Sequence, residues 1–178
     1  MSYIILFGSA RDNGSTRKAV DKIFQNEDHR FVDLRTLNIS HYDYEYKNAG
    51  DDFLPLMESV VTYDNIILAS PVYWYSVSAY MKTFLDRWGD LVTTRKDLGF
   101  KLQGKRLFLI ASFSTSSPLG CAGFEEPIRQ TCNYMNIEYG GCFFDFPNTE
   151  FISSIGLTSL EDFRSKLFSD SKIAQLYP

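Results

Sequence analysis

Apolar residues along this chain gather in short unbroken runs separated by longer stretches of helical spacing. The first run, Tyr3–Phe7, leads through a turn rich in Gly, Ser and Asn into a segment where Ala19, Val20, Ile23 and Phe24 share one helical stripe. A weaker strand is predicted at 30–34. The stretch 35–52 has no period and alternates tyrosines with charges, which predicts a long surface loop. Phe53, Leu56, Met57, Val60 and Val61 mark a second helix, followed by a third strand at 65–69. The best-patterned helix then carries Val77, Tyr80, Met81, Phe84, Leu85 and Trp88 on one face. A polar connector containing Arg95, Lys96 and Asp97 precedes a fourth strand, Arg106–Ser112. Phe124, Ile128, Cys132 and Met135 mark the next helix, 137–146 a fifth strand, and Leu160, Phe163 and Leu167 a closing helix. Strands this uniformly apolar are buried on both faces. The alternation therefore predicts an α/β domain whose five parallel strands form a doubly wound sheet, order 2-1-3-4-5, with helices on both faces.

Composition narrows this picture. A chain of 178 residues without repeats or low-complexity tracts reads as one domain, 1–178. It can bury roughly 70% of its unfolded surface, enough to do without a disulfide or structural metal. Its three cysteines, Cys121, Cys132 and Cys142, form no C-x-x-C pair and suit a reducing compartment. With no basic leader before Tyr3 and no apolar run long enough to span a bilayer, the expected location is the cytoplasm. Eighteen basic residues against 22 acidic ones give a net charge of −4 without blocks of either sign, which gives no support to nucleic-acid binding.

In a sheet of this order ligands bind beyond the carboxyl ends of the strands, where strand order reverses. Strand one ends there in Gly8-Ser9-Ala10-Arg11-Asp12-Asn13-Gly14-Ser15-Thr16. The two glycines enclose five residues and are followed by Ser15, so this is no P-loop, and no G-x-G-x-x-G is present for a dinucleotide. A monophosphate fits better: hydroxyls of Ser9, Ser15 and Thr16, the Asn13 amide and the Arg11 guanidinium can all donate to it. The same residues also fit an ordinary loop in which Ser15 merely caps a helix. Other chemistries fail at the strand ends. A magnesium-dependent phosphoacceptor needs carboxylates where Gly8 and Ser70 stand. In a cysteine phosphatase, arginine would replace Pro127 after Cys121. The two histidines, His29 and His41, lie near strand two and read as surface residues rather than as a serine's base.

Directly after strand three comes Ser70-Pro71-Val72-Tyr73-Trp74-Tyr75-Ser76. Three consecutive aromatics cannot all pack inward, so at least one should face the crevice and offer a flat ligand a stacking partner. A third loop, 113–123, supplies small residues, with Thr115 and Gly120 as candidate contacts to a ring edge. A phosphate pocket, an aromatic wall and a small-residue edge together describe a site for FMN.

These segments, with Met81-Lys82-Thr83-Phe84-Leu85-Asp86-Arg87-Trp88 and Leu102-Gln103-Gly104-Lys105, resemble the NAD(P)H-dependent FMN reductases of the flavodoxin-like superfamily. The resemblance implies that Ser9, Arg11, Asn13, Ser15 and Thr16 hold the FMN phosphate, and that Pro71, Val72, Tyr73 and Trp74 line the isoalloxazine, with Tyr75 and Ser76 beside them. It implies hydride transfer from NAD(P)H as co-substrate to flavin N5, then electron transfer to a small-molecule acceptor: a quinone, an azo or nitro compound, a flavin or a metal ion. No side chain need act as acid or base in the first half, so none is assigned as catalytic. The third loop departs from the family by being rich in serine. The iron–sulfur branch is set aside because its cysteine cluster is missing. Lys82 and Asp86 read as a surface i,i+4 pair, and relatives commonly form dimers near this helix, so a homodimer is expected. The competing reading is a flavodoxin-type electron carrier without nicotinamide turnover.

Overall fold

In the computed structural model, which describes residues 1–114, 121–146 and 158–169, five strands form a parallel sheet. They are β1 (Tyr3–Phe7), β2 (Arg30–Asp33), β3 (Asn65–Tyr73), β5 (Arg106–Ser112) and β6 (Glu138–Asp145), in the spatial order β2-β1-β3-β5-β6. This is the expected 2-1-3-4-5 sheet. The strand count needs one correction. β3 runs four residues past the expected 65–69 and turns back into a sixth strand, β4 (Ser76–Val77), paired antiparallel to its end. The added strand comes from a two-residue turn at Trp74 and Tyr75, a pair that carries none of the usual Asn-Gly or Asp-Gly turn signal.

Alternate strand residues feed two cores. Ile4, Leu6, Ile66, Leu68, Leu107 and Leu109 face α2 (Phe53–Val60), α3 (Ala79–Asp86), α4 (Gly89–Thr93), α5 (Lys96–Leu102) and α6 (Cys121–Met135). Ile5, Phe7, Ile67, Phe108, Ile110 and Phe143 face α1 (Ser15–Ile23) and α7 (Leu160–Phe168). Each fully buried Leu, Ile or Phe adds about 1.5–3 kcal/mol relative to exposure. Covering both faces is what lets the strands be uniformly apolar.

Two sequence expectations change on the other side of β3. The segment 77–88 is not one helix: Val77 belongs to β4, α3 starts after its Ser78 N-cap, and Tyr80 is exposed while Trp88 is buried. The expected polar connector holds α4 and α5, whose Leu91, Leu98 and Leu102 pack into the core. Its charges hid them, because Arg95, Lys96 and Asp97 sit where the two short helices meet.

Arg106 fastens the last helix. At the start of β5 and 6% exposed, it donates to the carbonyls of Lys166, Leu167 and Ser169 at the end of α7 and lies 4.8 Å from the Phe108 ring centroid. A helix C-terminus carries carbonyls without intrahelical partners, and a cation there satisfies them and complements the helix dipole.

Candidate functional site

The carboxyl end of β1 passes through Gly8 into a loop that closes on α1. The N-cap of α1 is Gly14, not Ser15 as the capping alternative required, and no side chain caps the helix. Its first-turn N–H groups therefore point out of the helix end without a side-chain acceptor, the arrangement that favours an anion. Arg11 lies over this end: a Cβ added at Gly14 would stand 2.8 Å from Arg11 Nε, so glycine is what permits the approach. Arg11 makes no ion pair among the described residues. Its neighbour Asp12 is engaged instead, 3.7 Å from Arg35, which Asp33 holds with both carboxylate oxygens. That hydrogen bond to Asp33 raises the Arg35 pKa above its ordinary value. The loop acid is thus balanced from the β2 side, and Arg11 remains as the cation at the helix end.

A cavity of about 90 Å³ opens here, lined on the α1 side by Ser9, Arg11, Gly14, Ser15 and Thr16. Pro71, Val72 and Tyr73 from β3, with Ser112, Phe113 and Ser114 after β5, line the rest. Its volume suits a phosphate and falls below the roughly 300 Å³ at which drug-sized pockets begin. Ser9 and Thr16 are both buried. The Ser9 hydroxyl faces the Arg11 N–H at 3.4 Å, and Thr16 Oγ1 meets Ser112 Oγ at 2.6 Å. Ser112, which the sequence marks only as a strand end, joins the site through this bond, whose partner lies 96 residues away.

The β3 end is built as rigidly. Ser78, the N-cap of α3, donates through its hydroxyl to the Gly8 carbonyl and accepts from Met81 N at 3.2 Å. Its own N–H donates to Ser70 Oγ at 3.0 Å. The loop after β1, the hairpin and α3 are stitched together through two buried serines. The hairpin turn itself is strained, since Trp74 and Tyr75 have φ of 51° and 62°, a region that bulky side chains rarely occupy.

Seven of the thirteen expected site residues line the cavity, four lie outside it, and two fall outside the described residues. Asn13 is exposed and outside the cavity. Trp74 is 95% exposed, sits in the hairpin turn with a φ of 51°, and does not line the cavity. Tyr75 and Ser76 line a different cavity, with Lys82, Asp86 and Phe124 on the far side of the hairpin. Thr115 and Gly120 lie outside the described residues. The Lys82–Asp86 pair forms on the surface of α3, and both histidines are exposed, as expected.

The suspect stretch 35–52 begins in a 3-10 turn, Leu34–Thr36, and its remainder, loop 37–52, is clamped rather than free. Arg87, with no exposure, donates to Asp51, to Asp90 Oδ2 at 2.8 Å and to the Ser40 carbonyl at 3.3 Å, and lies 4.7 Å from the Phe53 ring centroid. Burial alone would raise the Asp51 carboxyl. The bonds from Arg87 and from the N–H groups of Phe53 and Ser40 outweigh it and hold the pKa below the ordinary carboxylate range.

The three free cysteines are buried, and no cluster of metal-ligating side chains occurs among the described residues. Desolvation pushes the Cys132 thiol up to about 12, which makes it unreactive. No helix among the described residues is long and apolar enough to cross a membrane.

Comparison with known proteins agrees with the geometry. Residues 1–142 match the family described as NADPH-dependent FMN reductase. The Bacillus subtilis (strain 168) protein YwqN, whose name describes an NAD(P)H-dependent FMN-containing oxidoreductase, is 26% identical over 149 residues, 79% of this chain and 82% of its own. The structure of a Trp repressor binding protein from Bacillus subtilis superposes with a TM-score of 0.71 at 19% identity, over 95% of this chain and all of that one. An FMN-dependent NADH-azoreductase from Bacillus anthracis, solved with FMN, gives a TM-score of 0.65 at 11% identity, over 98% of this chain and 100% of that one. With a match covering well over half of its length, the chain belongs to the NADPH-dependent FMN reductase family, FMN-using oxidoreductases, on a flavodoxin-like sheet.

Proposed function

We propose that this chain is a single FMN-binding domain, 1–178, acting as a cytoplasmic, homodimeric oxidoreductase. Its cavity at the end of α1 holds the FMN phosphate. The carrying observation is the helix start without a side-chain cap beside a guanidinium that makes no ion pair among the described residues, at the switch point of the sheet. Ser9, Arg11, Ser15 and Thr16 hold the phosphate, and Thr16 is oriented for this by Ser112. Asn13 contributes from the rim. Pro71, Val72 and Tyr73 carry the isoalloxazine edge, and the strained Trp74–Tyr75 turn, with Ser76, holds that edge in place from outside. Thr115 and Gly120, outside the described residues, are proposed as contacts to the ring edge. The chemistry that bound FMN supplies is two-electron transfer from NAD(P)H to a second, small-molecule acceptor. The protein's part is binding, orientation and exclusion of water, so no acid or base is assigned.

Protein saturated with FMN and kept free of oxygen should bleach within seconds of adding NADH or NADPH, and a quinone should restore the colour. Absorbance under stopped flow measures both steps. Reduction by dithionite alone, without response to either nicotinamide, would make the protein an electron carrier instead.

Assembly rests on exposed rings. Tyr44, Trp74, Tyr75 and Tyr80 are 84%, 95%, 64% and 45% exposed around the hairpin and loop 37–52, more aromatic surface than a monomer of this size has reason to show. Buried Trp88 takes no part. A symmetric dimer is expected, and a monomeric mass by light scattering at micromolar concentration would refute it.

A further inference from the structure

A second cavity, of about 210 Å³, lies at the opposite end of the sheet from the flavin site. It opens where α5 runs into β5 and α6 into β6, over a junction closed by the hydrogen bond from Gly104 N to the Asn136 carbonyl at 2.9 Å. Its apolar lining comes from Leu91 and Val92 of α4 and Met135 of α6. Two aromatics that the core does not use stand at its edge, Phe100 at 66% and Tyr134 at 77% exposure. In α5 the buried positions are Leu98, Gly99 and Leu102, so amphipathic packing gives Phe100 no reason to be apolar. Phe100 also cannot roll inward. α4 and α5 meet backbone to backbone, since a Cβ at Gly99 would run into the Leu91 carbonyl oxygen. The polar part of the lining is cationic and amide: Lys96, which pairs with no carboxylate among the described residues because Asp97 is taken by Arg95, and Gln103.

From this juxtaposition of an apolar floor, two exposed rings and an unpaired ammonium, we infer a binding site for a small planar aromatic anion. Its ring would lie against Leu91, Val92 and Met135 beside Phe100 and Tyr134, with its carboxylate or sulfonate toward Lys96. An apolar cavity of about 150 Å³ holds benzene, so this one accommodates a larger ring system. The site shares no residue with the flavin cavity, so its occupant is a ligand in its own right and not the electron acceptor.

The test uses the full FMN-loaded chain and 2-naphthoate, followed by equilibrium dialysis, with uncharged 2-naphthol as control. Saturable binding at one equivalent is expected, without release of FMN. Phe100→Ala should weaken both probes about tenfold or more. Lys96→Met should weaken 2-naphthoate about tenfold and leave 2-naphthol unchanged. Both positions are exposed, and an unaltered melting temperature and FMN content would show that the fold survives. No saturable binding, binding displaced by excess FMN, or binding indifferent to both substitutions would each overturn the proposal. So would a wild-type chain that fails to bind the probe while Phe100→Ala halves its mass in solution, which would assign the face to a second copy of the chain.

Discussion

Arg87→Ala should destabilise the protein by about 3–5 kcal/mol, the usual result of leaving a buried charge without its partner. Removing this guanidinium strands two buried carboxylates, Asp51 and Asp90, and frees the Ser40 carbonyl, so loop 37–52 loses its only buried cation among the described residues. For a chain of this length the loss corresponds to a fall in melting temperature on the order of 10 °C. The pH dependence has a definite sign. Because the folded pKa of Asp51 is depressed, its contribution is present above the ordinary carboxylate value of about 3.9 and is lost as pH falls through the folded value. The gap between the wild type and Arg87→Ala should therefore be full at pH 7 and shrink as the pH falls toward the depressed wild-type value of Asp51. Chemical denaturation at several pH values measures it. A loss under about 1 kcal/mol at neutral pH would mean that the cluster behaves as a solvated surface pair.

Arg11→Ala should weaken FMN about tenfold or more and leave riboflavin nearly unchanged. A charge-assisted hydrogen bond contributes roughly 1.5–3 kcal/mol, and about 1.4 kcal/mol is a factor of ten. Arg11 caps no helix and makes no ion pair among the described residues, so its loss should leave stability alone. Thr16→Ala is the useful contrast, because it also removes the bond to Ser112 that joins α1 to the end of β5. It should lower both FMN affinity and stability. Fluorescence quenching titrations with the two flavins decide the matter: equal losses for FMN and riboflavin would place Arg11 at the ring, and no loss for either would return the loop to a plain helix start.

The parts of this protein legible in its sequence are those set by period. Alternate burial of Ile4, Ile5, Leu6 and Phe7 and the stripes of α1 and α2 follow from apolar spacing, and with them the strand order. What stayed illegible depends on partners distant in sequence. α4 and α5 were hidden because a helix of five to seven residues shows little more than one turn of pattern. The hairpin was hidden because Trp74 and Tyr75 occupy a turn conformation against their own preference, and only the pairing of Tyr73 with Ser76 reveals it. The same holds at the candidate site. Ser9, Arg11, Ser15 and Thr16 were readable from loop composition, whereas Ser112 and Ser78 matter through bonds spanning 96 and 70 residues. Arg87 sat in plain view in a helical motif, but its role depends on Asp51, 36 residues away.

The grip of Arg106 on the carbonyls of Lys166, Leu167 and Ser169 bears on how far the chain can be shortened. Cut back to Ser165, the protein would keep Leu160 and Phe163 of the apolar face of α7 yet leave a guanidinium, 6% exposed at the root of a central strand, without the acceptors that let it be there. The minimal foldable length is thus set from the middle of the sequence, by one arginine's need for acceptors rather than by the hydrophobic content of the tail. A shortened chain would regain a consistent interior only with an apolar residue of similar shape at position 106, such as methionine.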